Sequence, residues 1–151
     1  MKFRIGVISA KDGSFEPLIY SQFHESGPWF SPDGKWIVYV SHQSGRMEVF
    51  VQSIAGGRRY QVSTDGGWSP RWNGDGIYYH GPGNKLFFST VSYASGFSAG
   101  IPEPLFDMGT TESNSPYDVL DRNRFLANTS SERNEIVPIM LIQNWSMLNK
   151  D

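Results

Sequence analysis

The stretch FSPDGKWIVYV, residues 30–40, decides the fold of this chain. Its Ser-Pro-Asp-Gly segment favours a tight turn, and the apolar run that follows favours a β-strand. The same order of a proline, a polar turn and an apolar run returns in SPRWNGDGIYYHG from Ser69 and in SPYDVLDRNRFLANT from Ser115. The sequence therefore predicts a similar β-hairpin three times.

The three hairpins repeat at nearly constant spacing. Their opening prolines lie 42 and then 46 residues apart, and so do the aspartates of their turns: Pro28, Pro70 and Pro116; Asp33, Asp75 and Asp121. A period of about 40–45 residues with four strands per unit is the signature of a β-propeller blade. The alternative is three unrelated hairpins in a β-sandwich. Unrelated hairpins would hardly share both spacings by chance.

Further β-prone runs fill the space between the hairpins: RMEVFVQSI, RRYQVS, KLFFSTV, PEPLFD and PIMLIQNW. Their alternation of apolar and polar residues predicts half-buried antiparallel strands. Each repeated proline is expected at the start of the innermost strand of its blade, where the missing N–H is tolerated. The Asp-Gly pairs at 33–34 and 75–76 are expected to supply the positive φ angles of the hairpin turns.

These strands predict an all-β fold of four-stranded antiparallel propeller blades, about three per chain, within one partial domain over residues 1–151. The expected division is the outer strands of a split blade at 1–26, full blades at 27–66 and 67–112, and an incomplete terminal blade at 113–151. About three blades make half of a six-bladed ring.

Composition excludes several classes of function. The 151 residues carry a formal net charge of −2, which gives no basic face for nucleic acid or for an anionic membrane. The absence of cysteine excludes disulfides and thiolate metal sites. No apolar run approaches the roughly 18 residues of a membrane span, and the start of the chain does not read as a secretory signal. We therefore expect a cytoplasmic protein without a cofactor.

The segments FSPDGKWIVYVS, YQVSTDGGWSPRWNGDG and RFLANT with IMLIQNW resemble TolB-like propeller repeats of the PD40 (WD40-like) type. The likeness is greatest to the C-terminal propeller of bacterial serine/threonine protein kinases. The resemblance implies a six-bladed bacterial propeller that binds proteins or senses ligands and has no catalysis of its own. No kinase activity is implied for this chain, because the sequence lacks the HRD and DFG motifs and the Gly-rich nucleotide loop of a kinase.

Half a ring exposes a strand edge and an apolar blade face at each end. Three solutions are open. Two chains could join head to tail into a closed homodimeric ring in which one blade is completed across the chains, and we favour this solution because it reuses the contact between blades. The chain could instead be a truncated product of marginal stability, or its ends could fold into caps.

The loops that lead into the innermost strands, 24–27, 64–68 and 111–115, are expected to meet at one mouth of the central channel. The candidate binding residues in and beside them are Glu25, Asp65, Trp68, Glu112 and Asn114. Their carboxylates would make the mouth acidic, and Trp68 would serve as an interface anchor. The alternative is that Trp68 packs between blades and the carboxylates only face water. The Trp36 and Trp72 side chains are expected in the core.

Two other motifs are weaker candidates. GFSAG, residues 96–100, matches the nucleophile elbow of hydrolases, but Pro102 and Pro104 forbid the helix that must follow, so we expect a hairpin loop around Ser98. The three histidines have no metal-ligand spacing and are expected in loops or on the surface: His24, His42 and His80.

The leading functional hypothesis is a non-catalytic module that binds a protein or another ligand. The alternative is a hydrolase acting on sugar or peptide, with acid and base drawn from Glu25, Asp65 and Glu112. A third hypothesis is an accessory fragment that works only when joined to another half-propeller or to a missing N-terminal domain.

Overall fold

The computed structural model describes residues 4–74, 76–93, 95–108 and 117–127. The regular elements in these ranges are β-strands, apart from one 3-10 turn at Pro82–Asn84. None of the described segments forms a helix with the length and hydropathy needed to cross a membrane.

The first half of the chain forms a strand pair and a complete blade. The N-terminal pair is antiparallel and consists of β1 (Gly6–Ile8) and β2 (Phe15–Pro17). The first blade is an antiparallel meander of β3 (Glu25–Phe30), β4 (Trp36–Ser41), β5 (Glu48–Ser53) and β6 (Arg59–Gln61). Its four strands pair in chain order, as expected of a propeller blade.

The second blade begins in the same way with β7 (Trp68–Asn73), β8 (Gly76–Gly81) and β9 (Lys85–Ser92). Its outermost strand is divided into β10 (Ser98–Ala99) and β11 (Glu103–Asp107), and both parts pair with β9. The prediction of a loop around Ser98 is therefore wrong in part, because Ser98 pairs with Ser92. The C-terminal pair consists of β12 (Tyr117–Asp121) and β13 (Arg124–Ala127).

Three apolar clusters lie between successive sheets. The cluster between the N-terminal pair and the first blade contains Ile5, Ile19, Ile37, Tyr39 and Phe50. The cluster between the two blades contains Val38, Val49, Val51, Val62, Trp72, Ile77, Tyr79, Val91 and Phe97. The cluster between the second blade and the C-terminal pair contains Tyr78, Leu86, Phe88, Met108, Tyr117 and Val119. Sheets stacked face to face in this order confirm the predicted architecture of partial-propeller blades.

The middle strands of each blade are buried on both faces. In β4, Ile37 faces the first cluster and its neighbour Val38 faces the second. In β8, Tyr78 and Tyr79 divide in the same way between the two blade faces. The prediction of half-buried strands is wrong here, because each blade is covered by a sheet on both sides rather than by solvent on one.

Pro28 and Pro70 lie inside the innermost strands, each at a register shift, rather than at the strand starts. A bulge leaves one residue out of the hydrogen-bonded ladder, so the missing proline N–H costs nothing there. The residue before each proline has a left-handed φ, 60° at Gly27 and 50° at Ser69. The two prolines therefore occupy equivalent places, while Pro116 lies outside the described residues.

The first hairpin turn follows the prediction and the second departs from it. Gly34 has a φ of 68°, and the Ser31 hydroxyl donates to Asp33 Oδ1 at 2.6 Å. In the second turn the positive φ belongs to Gly74, at 58°, and Gly76 already opens β8. A Cβ on Gly76 would lie 1.9 Å from the Phe88 ring, so this glycine is required for packing. Asp75 lies outside the described residues.

The bulge before each proline gives a matched pair of substitutions. Ser69→Gly should stabilise the chain by up to about 1.6 kcal/mol, because a left-handed φ costs a residue with a Cβ about 1–2 kcal/mol and the added glycine entropy offsets about 0.4–1 kcal/mol. Gly27→Ser should lose a similar amount. Urea unfolding measures both changes.

Ser26→Gly in β3 is the control, since Ser26 is not among the residues with positive φ. Glycine there should only weaken the strand. A loss of stability in Ser69→Gly as large as that in Ser26→Gly would contradict the equivalence of the two bulges.

Candidate functional site

The loops before β3 and β7 end at matching places in the two blades. Glu25 is the first residue of β3 and lies opposite Ser41, and Trp68 is the first residue of β7 and lies opposite His80. Both residues therefore mark the same end of their sheets, and the common channel mouth stays a prediction. Glu112 and Asn114, in the third predicted loop, lie outside the described residues.

Glu25 is buried and ion-paired. It is only 2% exposed. The Ser21 hydroxyl donates to its Oε1 at 2.5 Å, and Arg59 Nη1 lies 3.7 Å from the same oxygen. Arg59 also donates to the backbone carbonyl of Tyr20 at 3.0 Å. The expectation that Glu25 contributes to an acidic mouth is wrong, because this carboxylate fastens the segment before β3 to β6 instead of facing solvent.

Asp65, unlike Glu25, is exposed, with 78% of its side chain accessible to solvent. Arg46 Nη1 donates to its Oδ1 at 2.8 Å, and Arg46 Nη2 donates to the Thr64 carbonyl at 2.6 Å. Glu25 and Asp65 are therefore held by two different arginines, and no contact joins them within the described residues.

Arg46 and the buried Glu48 form a clamp on the loop that carries Asp65. Arg46 Nε donates to Glu48 Oε1 at 2.6 Å, and the Gly66 N–H donates to the same oxygen at 3.0 Å. The buried Ser63 hydroxyl donates to the other Glu48 oxygen. The hydrogen bond to Glu48 raises the pKa of Arg46, so the guanidinium stays charged. Sequence inspection missed this pair, because its partners in the loop lie 15–18 residues away.

Trp68 is half-buried and lies beside His80, with ring centroids 6.2 Å apart. The Trp68 ring therefore lies beside a residue of its own blade, and its role as an interface anchor stays a prediction. His80 itself is fully buried, so its predicted place in a loop or on the surface is wrong. His80 lies on β8 between two sheets, and its ring centroid is 4.9 Å from that of Tyr117. His42 follows β4 in a loop and is exposed, as expected, and Trp72 is buried in the core.

Both ring nitrogens of His80 are buried and unpaired in the part of the chain described here. Burial, with a smaller effect from the nearby Arg71, lowers the pKa of His80 below its ordinary 6.5. The folded chain therefore keeps a neutral imidazole at pH values where the unfolded chain takes up a proton.

An apolar cleft of about 310 Å³ opens beside β3, on the side of the N-terminal pair. Its walls are Ile5, Gly6, Leu18, Pro28, Trp29, Phe30 and Ile37. Two of the wall residues are large aromatics in partial contact with solvent, Trp29 at 42% exposure and Phe30 at 52%. The cleft was not predicted, although the FSPDG stretch contains Phe30.

A cationic side chain supports one edge of the cleft from the next blade. The Arg71 guanidinium carbon lies 4.6 Å from the centre of the Trp29 ring and 5.2 Å from that of Tyr117. Its Nε donates to the Tyr117 carbonyl at 3.1 Å. These contacts hold the Trp29 ring beside the second blade, and 42% of Trp29 is exposed. The described residues contain no cluster of three or more His, Asp or Glu placed to hold a metal.

The buried His80 should make stability dependent on pH. As pH falls below about 6.5, the unfolded state gains a proton that the folded state resists, so the free energy of unfolding falls by up to about 1.4 kcal/mol per pH unit. Above this pH the contribution is fully present. In urea unfolding between pH 7 and 5, the free energy of unfolding of His80→Leu should depend less steeply on pH than that of the unmodified chain. His42→Gln should keep the original slope. Equal slopes for both variants would contradict this origin.

The Arg46 clamp should order the mouth loop. Arg46→Ala leaves the buried Glu48 without its guanidinium, so we expect the melting temperature to fall by about 5 °C. We also expect faster hydrogen exchange at the amides of residues 64–67. Arg4→Ala is the control, since Arg4 is exposed. Unchanged exchange at residues 64–67 in Arg46→Ala would show that the loop is ordered by other contacts.

Known proteins are similar to parts of this chain. No family model matches the sequence. A stretch of 62 residues is 36% identical to the Tol-Pal system protein TolB of Coxiella burnetii, and it covers 41% of this chain and 14% of that protein. A stretch of 46 residues is 49% identical to the Tol-Pal system protein TolB of Pseudomonas putida, and it covers 30% of this chain and 11% of that protein. The chain therefore spans only a small part of these relatives.

A solved structure assigned to TolB from Agrobacterium tumefaciens has a similar fold. It aligns with a TM-score of 0.55 at 21% identity, over 69% of this chain and 41% of that one. The comparisons do not bear on the likeness to the kinase propeller, which stays a prediction. They confirm the predicted resemblance to TolB: the chain is a partial β-propeller built of TolB-like blades, similar to less than half of the TolB structure.

Proposed function

We propose that this chain is a non-catalytic propeller module that binds protein, and that a second copy of the chain is one of its partners. The observation that carries the proposal is the apolar cleft beside β3, with its half-exposed Trp29 and Phe30. Aromatic side chains beside an apolar depression are the usual anchors of protein interfaces.

The hydrolase alternative has less support from the described residues. It requires two carboxylates about 5–10 Å apart in one cleft. Glu25 is buried against Arg59, and Asp65 is bound to Arg46. Glu112, the third candidate, lies outside the described residues. The cleft itself is lined by apolar side chains, which suit a protein surface better than a sugar.

Self-association is supported by the sheets at the two ends of the stack. Within the described ranges, the N-terminal pair and the C-terminal pair each contain two strands, whereas the blades between them contain four or five. Two such pairs add up to one blade. Two copies joined head to tail would form six blades. The relatives are named as proteins of the Tol-Pal system, and membership of a system of proteins is in keeping with a protein-binding role.

The test is the mass of the full chain in solution. Size-exclusion chromatography with light scattering over a wide range of protein concentration should give twice the chain mass of 17.0 kDa, with monomer appearing on dilution. High salt should leave the dimer intact, because the proposed contact is apolar. A mass of one chain at every concentration would contradict self-association, and dissociation by salt would contradict the apolar contact.

A further inference from the structure

The residues that face the preceding sheet occupy equivalent places in three successive units. Each is an innermost-strand residue paired across the ladder with a second-strand residue: Phe30 with Ile37, Trp72 with Ile77 and Val119 with Phe125. Trp72 and Val119 are buried, because the sheet before them covers them. Phe30 is 52% exposed. The exposed Phe30 therefore marks a place where a preceding innermost strand pair would pack.

The residues that face the following sheet also include one that is exposed at a position buried in the other units, here on the C-terminal pair. The equivalent second-strand positions are Val38, Tyr78 and Leu126, each directly after the residue that faces backwards. Val38 and Tyr78 are buried under the next sheet. Leu126 is 61% exposed, and Leu120 is 64% exposed. The C-terminal pair therefore presents apolar side chains on the face where a following blade would pack.

The two strand pairs also complement each other as parts of a blade. Among the described strands, β1 pairs only with β2, and β13 pairs only with β12. Both complete blades have an innermost hairpin, β3–β4 or β7–β8, that joins its neighbours through the second strand. The C-terminal pair is such an innermost hairpin. Ile5 and Ile19, which flank the N-terminal pair, pack against side chains of β4 and β5 and not of β3 in their apolar cluster, as outer strands of a preceding blade would.

We propose that the C-terminal pair of a second copy docks into the apolar cleft, with Leu126 facing Phe30 and β13 pairing with β1. This inference rests on the proposed self-association and names its surface. The docked pair and the N-terminal pair together form a four-stranded blade shared between two chains. The contact occurs twice in a two-fold ring, so both ends are covered at once and no open filament grows.

A second copy fits the cleft for two reasons. The chain already uses this contact twice, between its two blades and between the second blade and the C-terminal pair. The occupant must also be a hairpin with an apolar residue directed at Phe30 and a free edge for β1. The C-terminal pair of the same chain provides both, since Leu126 is exposed and β13 lies at the edge of its described sheet.

Site-specific cross-linking tests this surface, because the chain has no cysteine of its own. Facing sheets pack about 10 Å apart, which is too far for a disulfide but suits a short bismaleimide. Phe30→Cys mixed with Leu126→Cys should give a covalent heterodimer, while neither variant alone should cross-link above background. The double variant should form a dimer and no ladder of higher species. Ile101→Cys, at a position 88% exposed, replaces Phe30→Cys in the control mixture.

The outcomes separate this inference from the proposed function. Cross-linking of the Phe30→Cys and Leu126→Cys mixture at least tenfold above the Ile101→Cys control supports the docking surface. A dimer in light scattering with cross-linking no higher than the control overturns the surface and leaves self-association standing. A monomer at every concentration overturns both. A monomeric mass at every concentration is the result expected if residues 128–151 or a different protein cover the cleft.

The light-scattering mass is measured first on the unmodified chain, so that a cysteine variant that fails to fold cannot imitate a monomer. Leu126→Asp provides a second measurement without a cysteine. A charge facing Phe30 should weaken the dimer at least tenfold, since burying an unpaired carboxylate is costly. Ile101→Asp is the control, because Ile101 is exposed and its substitution should leave the dimer unchanged. Leu105→Asp cannot serve as the control, because Leu105 packs against the core. Equal dimerisation of Leu126→Asp and Ile101→Asp would overturn the surface.

Discussion

The structure depends on the face-to-face packing of neighbouring sheets. Adjacent residues such as Ile37 and Val38 point to opposite faces of one strand, and both are buried. A sheet that is apolar on both faces can be buried only between two other sheets. This requirement orders the described sheets into one stack, and within the described residues Phe30 on the first blade and Leu126 on the C-terminal pair remain exposed.

Polar contacts shape the loops at the mouth end of the sheets. Glu25 and Glu48 are both buried, and each is stabilised by an arginine and a serine hydroxyl. Buried carboxylates are tolerated only with such partners. The same contacts attach the segment before β3 and the loop at residues 63–66 to their blade. Of the predicted mouth carboxylates among the described residues, Glu25 is therefore buried, and Asp65 is exposed but bound to Arg46.

The repeat could be predicted from the sequence because glycine, proline and aspartate report local backbone geometry. The spacing of Pro28 and Pro70 gave the blade period, and the apolar runs gave the strands. The bulges at both prolines and the burial of His80 could not be predicted, since they depend on the neighbouring strand and sheet. The cleft also escaped prediction. Phe30 has the same sequence context as the buried Trp72, and only the neighbouring sheet distinguishes them.

The sequence alone determined that the chain forms antiparallel blades of TolB-like type, because turn chemistry and the period of apolar residues are local properties. The tertiary structure decided which side chains are covered. It buried Glu25, which was expected at the channel mouth, and His80, which was expected in a loop or on the surface, and it left Phe30 exposed. The physical reason is that burial depends on residues distant in sequence that a neighbouring sheet brings into contact, and no spacing within one blade encodes the presence of that neighbour.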